Sequence, residues 1–98
     1  MHYVKKTVVW SPTAKAKLTE QYNYLLERNP KAAVEVVQFI QEKSNLLGAL
    51  PKLGRKHKGE LIRKLTIRRY PYSLIYRITD TEIRILHFKH HRQLNPKI

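Results

Sequence analysis

The chain contains no cysteine, which excludes a disulfide scaffold and any thiolate metal site and fits a reducing compartment. No apolar run approaches the roughly 18 residues that a membrane-spanning helix needs. The opening residues, MHYVKKTVVW, lack the apolar stretch of a secretory signal. The expectation is a soluble cytoplasmic protein with no membrane partner. No repeat and no linker divides the sequence, so residues 1–98 are expected to form one domain. A chain of this length buries roughly 65% of its unfolded surface, enough for one core and no second.

Acidic residues are scarce: seven Asp and Glu stand against twenty Lys and Arg, for a net charge of +13. The excess is uneven. Residues 1–50 carry seven basic and four acidic side chains, whereas residues 51–98 carry thirteen and three. Such an imbalance selects no fold, but it raises affinity for polyanions and steers encounters with them. RNA, DNA, an acidic protein and an anionic membrane surface all share that attraction.

Residues 3–10, rich in β-branched and aromatic types, read as a strand. Ser11 is a natural N-cap and Pro12 suits the first helical position. Ala14, Leu18, Tyr22 and Leu25 then recur on one helical face. Asn29-Pro30 repeats the cap-and-proline device, so a second helix follows after a very short turn, with Ala33, Val36, Val37, Ile40 and Leu47 as its buried stripe and Gly48 as its stop. Residues 49–60, ALPKLGRKHKGE, read as the one real loop, with Leu50 and Leu53 tucked against the core. Three alternating strands are expected at about 61–69, 72–79 and 82–89, the last two joined by the turn TDTE. The fold class is α+β: β-α-α-β-β-β, a helical hairpin on one face of a small, mostly antiparallel sheet.

Two groups of side chains carry candidate chemistry. The first is the tail IRILHFKHHRQLNP. On a strand, His87 and His91 share a face and His90 takes the other, with no carboxylate nearby, so no metal is expected. His87, between Leu86 and Phe88, reads as a hydrogen-bonded structural histidine. Lys89, His90, His91 and Arg92 read as a target-binding tip, as an acid–base set beside Arg92, or as a solvated strand end. The second group is basic: Arg55, Lys56 and Lys58 of the loop, with Lys64, Arg68 and Arg77 of the strands, able to line one patch for RNA phosphates or an acidic protein. Tyr70, Tyr72 and Tyr76 interleave with the arginines as a base-stacking platform would, or pack the rim of the core.

The segments WSPTAKAKLTEQYNYLLERNPKAA, LPKLGR, YPYSLIYRI and EIRILHFKHHR, in this order, resemble the RelE/ParE superfamily of toxins from type II toxin–antitoxin modules, which are also known as plasmid-stabilisation proteins. The resemblance runs from about Val8 to Arg92. It implies a cytoplasmic growth inhibitor neutralised by a small cognate antitoxin, with no cofactor, and offers two activities. RelE-like members are metal-independent, ribosome-dependent endoribonucleases that cut mRNA. Such chemistry needs a base, an acid and cations on the phosphate. In that branch an arginine holds the scissile phosphate where this chain has Ser73, and of two catalytic lysines only Lys64 has a counterpart, Thr66 standing for the other. The tail lacks the branch's catalytic tyrosine. Lys64, His90, His91 and Arg92 would be the catalytic set if the chain were a nuclease. ParE-like members act on DNA gyrase, and their last strand ends in a pattern like Ile-Leu-x-x-Arg-His-Gln-Arg. ILHFKHHR is similar to it at Ile85, Leu86, His90 and Arg92, with Lys89 and His91 as departures. The resemblance is therefore closer to the ParE-like branch, with gyrase as the implied target and Lys89, His90, His91 and Arg92 as the implied contact. A basic nucleic-acid-binding module without toxicity is the remaining alternative.

Overall fold

A computed structural model describes residues 5–91. The order of elements is β1 (Thr7–Trp10), α1 (Pro12–Arg28), α2 (Pro30–Ala49), β2 (Arg55–Lys58), β3 (Ile62–Ile67), β4 (Tyr72–Ile78) and β5 (Glu82–His90). Local signals set the helix boundaries. The Ser11 hydroxyl accepts from Ala14 N at 3.1 Å and Asn29 Oδ1 accepts from Ala32 N at 3.2 Å. Each cap precedes a proline whose missing N–H costs nothing at the first helical position. The Asn29 N–H also closes α1 onto the Leu25 carbonyl at 2.7 Å. One residue thus ends one helix and starts the next.

The sheet has the strand order β1-β5-β4-β3-β2. β5, β4, β3 and β2 pair antiparallel in succession, while β1 joins the outer edge of β5 in parallel. Ala14, Val36, Ile40 and Leu47 of the helices meet Ile67, Tyr72, Leu74, Tyr76, Ile83, Ile85 and Phe88 of the sheet in one core. The helices cover one face of the sheet, and the other is left without a layer.

Four expectations need correction. The loop expected at 49–60 contains a strand, β2, whose four residues are all exposed. Its attachment to β3 is made through the backbone, so its side chains show no alternation. Leu50 and Leu53 are 51% and 45% exposed, not tucked in, because polar groups hold the loop instead. The Tyr76 hydroxyl donates to the Pro51 carbonyl at 2.6 Å and accepts from Gly54 N at 2.9 Å, while buried Arg63 donates to the Gly54 carbonyl at 2.8 Å. Gly48 does not stop α2, which continues to Ala49. It admits β1: Lys6 N donates to the Gly48 carbonyl at 2.9 Å, and a Cβ at Gly48 would collide with the Lys6 carbonyl oxygen. The first strand is shorter than expected, starting at Thr7, and residues 1–4 lie outside the described part.

Candidate functional site

The last strand is not a simple alternation. Ile75 pairs with His87 but the next residue, Tyr76, pairs with Ile85, so Leu86 is an extra residue in β5. Such a bulge reverses which face the following side chains take. Before it, Ile83 and Ile85 face the helices; after it, Phe88 and His90 do. The carbonyl of Leu86 is taken up by the Ser11 hydroxyl at 3.0 Å, and the Ile85 carbonyl accepts from Ser11 N at 2.9 Å. The residue that caps α1 therefore also holds the bulge.

Past the bulge, alternation separates the histidines. His90 lies against Tyr72 on the helix side, ring centroids 5.1 Å apart, and Tyr72 stacks in turn on Phe88 at 5.0 Å. Lys89 and His91 belong to the opposite, helix-free face. There the His91 ring shares a 2.8 Å hydrogen bond, through Nε2, with the hydroxyl of Ser73. His91 N also donates to the Pro71 carbonyl at 2.7 Å, so both backbone and side chain hold this residue against β4. Ser73 is completely buried between Thr66 and Lys89 in register. A hydroxyl so enclosed cannot attack a substrate; it orients the imidazole. Expected as a structural histidine, His87 is instead exposed, because the bulge turns it away from the core. Arg92 lies outside the described residues. Of the proposed tip, then, Lys89 and His91 stand together and His90 does not join them.

The basic group also divides. Arg55 pairs with Lys64 across β2 and β3, and Lys64 with Ile75 on β4. Arg77 pairs with Arg84 across β4 and β5, and Ser73 with Lys89. Cross-strand partners share a face, so Arg55, Lys64, Arg77, Arg84, His87 and Lys89 all stand on the helix-free side. Lys58, in register with Ile62, follows them there past an irregularity in β2. Lys56 does not. It pairs in register with buried Arg63 and reaches Glu60 at 3.1 Å. Glu60 also meets Arg63 at 2.8 Å and Lys52 at 3.6 Å. The hydrogen bond from Lys56 and its charge, helped by Arg63 and Lys52, hold the Glu60 carboxyl below its ordinary pKa. Arg68 lies beyond the end of β3, beside Arg69, whose guanidinium lies over the Phe39 and Tyr70 rings. The tyrosines serve packing: Tyr72 and Tyr76 are buried, and Tyr70 meets Phe39 edge-on at 5.4 Å.

Arg84 was not singled out in the sequence, and His87 was read there as structural rather than as part of this face. The turn at 79–82 was a usable signal for Arg84, since it sets Arg77 opposite Arg84. Nothing local announces His87, because its exposure depends on the bulge. Among the described residues, no three His, Asp or Glu side chains are placed to hold a metal ion, and no helix is long and apolar enough to cross a membrane.

Comparison with known proteins places this geometry. Residues 8–95 match the family model for the ParE toxin of the type II toxin–antitoxin system parDE. The chain belongs to the ParE toxin family. Relatives of this ParE-family chain agree. Y4kP of Sinorhizobium fredii, a protein provisionally described as a toxin, is 30% identical over 94 residues, 96% of this chain and 97% of its own. The chromosomal ParDE toxin–antitoxin system from P. aeruginosa provides a solved structure similar to this one, with a TM-score of 0.78 at 27% identity, covering 90% of this chain and 98% of that one. Membership fixes the class: a type II toxin of the ParE family, with two helices on a five-stranded mixed sheet.

Proposed function

We propose that this toxin arrests growth by poisoning DNA gyrase and that a small cognate antitoxin neutralises it. The observation that carries the choice of target is the state of Ser73. A RelE-like nuclease requires a phosphate-holding cation at that position and an accessible acid–base set around it. Here the position is a small hydroxyl, fully buried and hydrogen-bonded to His91, while His90 is directed to the other side of the sheet. Of the three described groups suggested for a nuclease, Lys64 and His91 share a face, two pairing rows and more apart along the sheet. That arrangement lacks the convergence that proton transfer on both sides of a phosphate demands. Membership of the ParE family, whose model names the parDE module, supports the gyrase reading and the antitoxin alike.

The test is a supercoiling reaction with purified gyrase and relaxed plasmid. Accumulation of cleaved, protein-linked DNA on addition of the toxin is the expected result. Toe-printing on translating ribosomes is the counter-test: cuts within the A-site codon would replace this reading by the nuclease. Co-expression with the small open reading frame beside the gene should restore growth and yield a complex. Failure of the neighbour to bind or to rescue would remove the antitoxin claim.

A further inference from the structure

The uncovered face of the sheet has a composition that protein-binding surfaces do not share. Arg55, Lys64, Arg77, Arg84 and Lys89 stand on it across four adjacent strands. Among the described residues, Arg84 alone of these is in an ion pair, with Glu82 at 2.7 Å. Among the described residues, the exposed large apolar side chains, Tyr24, Val34, Leu46, Leu50, Leu53 and Leu61, all lie elsewhere, on the helices and the loops flanking β2. Protein interfaces draw their affinity from buried aromatic and apolar anchors, whereas the apolar residues that register places on this face among the described ones, Val9, Ile62 and Ile75, are aliphatic and lie between the cations, Ile75 only 4% exposed. Among the described residues the face also presents no Phe, Tyr or Trp: Trp10, Tyr72, Tyr76 and Phe88 all sit on the helix side. Single-stranded nucleic acids are held by stacking bases on such rings.

A face with cations and no aromatic anchor or stacking platform suits a ligand whose recognisable feature is a regular array of charges. We propose that it binds the phosphate backbone of duplex DNA. Three inter-strand spacings of about 4.8 Å carry the cations over about 14 Å, and their long side chains extend that span. A minor groove about 6 Å wide, with the phosphate strands on either side, falls within it. The contact is with backbone rather than bases, so it positions the protein without reading sequence. The inference rests on the gyrase reading for its biological setting, where it supplies a second contact, to the DNA that gyrase holds. It is measured without gyrase.

The experiment is fluorescence anisotropy of a labelled 20-base-pair duplex against the purified full chain over a range of salt. Four phosphate contacts by unpaired cations give a slope of log K against log salt near −3.6, at about −0.9 per contact. The variant R55Q/K64Q/R77Q/K89Q is expected to lose most of that slope and at least about tenfold in affinity at low salt. Should it fail to fold, R77Q and K89Q singly are each expected to reduce the slope by about 0.9. The variant K15Q/K17Q/R28Q/K31Q removes the same charge from exposed helix positions and is expected to leave the slope nearly unchanged. Equal losses in the two sets would overturn the proposal, since binding would then follow net charge alone. So would displacement by poly-glutamate at matched charge, which would indicate an acidic protein, or preference for an RNA duplex over DNA. The two readings separate on the wild type: duplex binding without trapped gyrase refutes gyrase poisoning and leaves the face, whereas trapped gyrase with a flat salt slope refutes the face alone.

Discussion

Replacing Tyr76 by Phe removes one oxygen atom from the centre of the molecule and tests how the β2 loop is held. The ring remains, completely buried, so little apolar burial changes. What disappears is a hydroxyl that donates to the Pro51 carbonyl at 2.6 Å and accepts from Gly54 N at 2.9 Å. Two such bonds contribute a net of about 1 kcal/mol each, and a buried N–H left without an acceptor costs about 1–3 kcal/mol. Gly54 is buried, with no room for a rearranged side chain: a Cβ there would stand 2.8 Å from the Lys64 carbonyl oxygen. The expected loss is therefore about 2–3 kcal/mol, a substantial part of the stability of a small domain. In a chain of this size it lowers the melting temperature by about 10–20 °C. Urea denaturation followed by circular dichroism measures the loss, and amide exchange at Gly54 and residues 55–58 shows whether it is local to the loop. A loss below about 0.5 kcal/mol, with Gly54 still protected, would refute the reasoning, because another partner would then be holding the loop. A large loss should also loosen Arg55 and weaken duplex binding.

Other expectations follow from the same contacts. Ser11→Ala removes both the cap of α1 and the donor to the bulge carbonyl, and should cost about 1–2 kcal/mol in urea denaturation, more than Asn29→Ala, which loses a cap alone. Gly48→Ala should destabilise by about 1–3 kcal/mol, since its methyl group collides with the Lys6 carbonyl and must displace β1. Alkali should destabilise the protein through Tyr76 and Tyr72. Burial raises both pKa values, against lowering by Gly54 and Arg63 at Tyr76 and by Gln21 at Tyr72. Folded-state pKa values above the unfolded one mean stability fully present below about pH 10 and lost as pH rises through the folded values; Tyr72→Phe should flatten that decline. Finally, His90→Ala together with Arg92→Ala should abolish growth inhibition if the strand end is the contact for gyrase; a folded, fully toxic double variant would exclude it.

Much of the architecture was legible because its signals are local. Ser11-Pro12 and Asn29-Pro30 carry their capping chemistry within three residues, and the alternation in β3 and β4 marks the core face. Features made by partners distant in sequence were not legible. β2 consists of Arg55, Lys56, His57 and Lys58, all exposed, and owes its conformation to the backbone of β3. The same holds for Arg63, a cation that is only 6% exposed because Gly54, nine residues earlier, and Glu60 receive its donors. The tail was read as an unbroken alternation, which correctly separated His90 from His87 and His91. It took His87 as a structural histidine, however, since nothing near Leu86 indicates that Ser11, 75 residues away, will donate to its carbonyl and hold a bulge.

That bulge is the one place in β5 where a residue can be removed without changing which way the strand end faces. Deleting Leu86 would bring Ile85 and His87 together opposite Tyr76 and Ile75, a regular ladder in which His87 and Lys89 keep the helix-free face and Phe88 and His90 keep the helix side. What the deletion takes away is the carbonyl that accepts from the Ser11 hydroxyl, and with it the tie between β5 and the start of α1. The extra residue therefore serves the joint between helix and strand, not the facing of the strand end, and its loss should be felt in α1 before it is felt at Lys89 or His91.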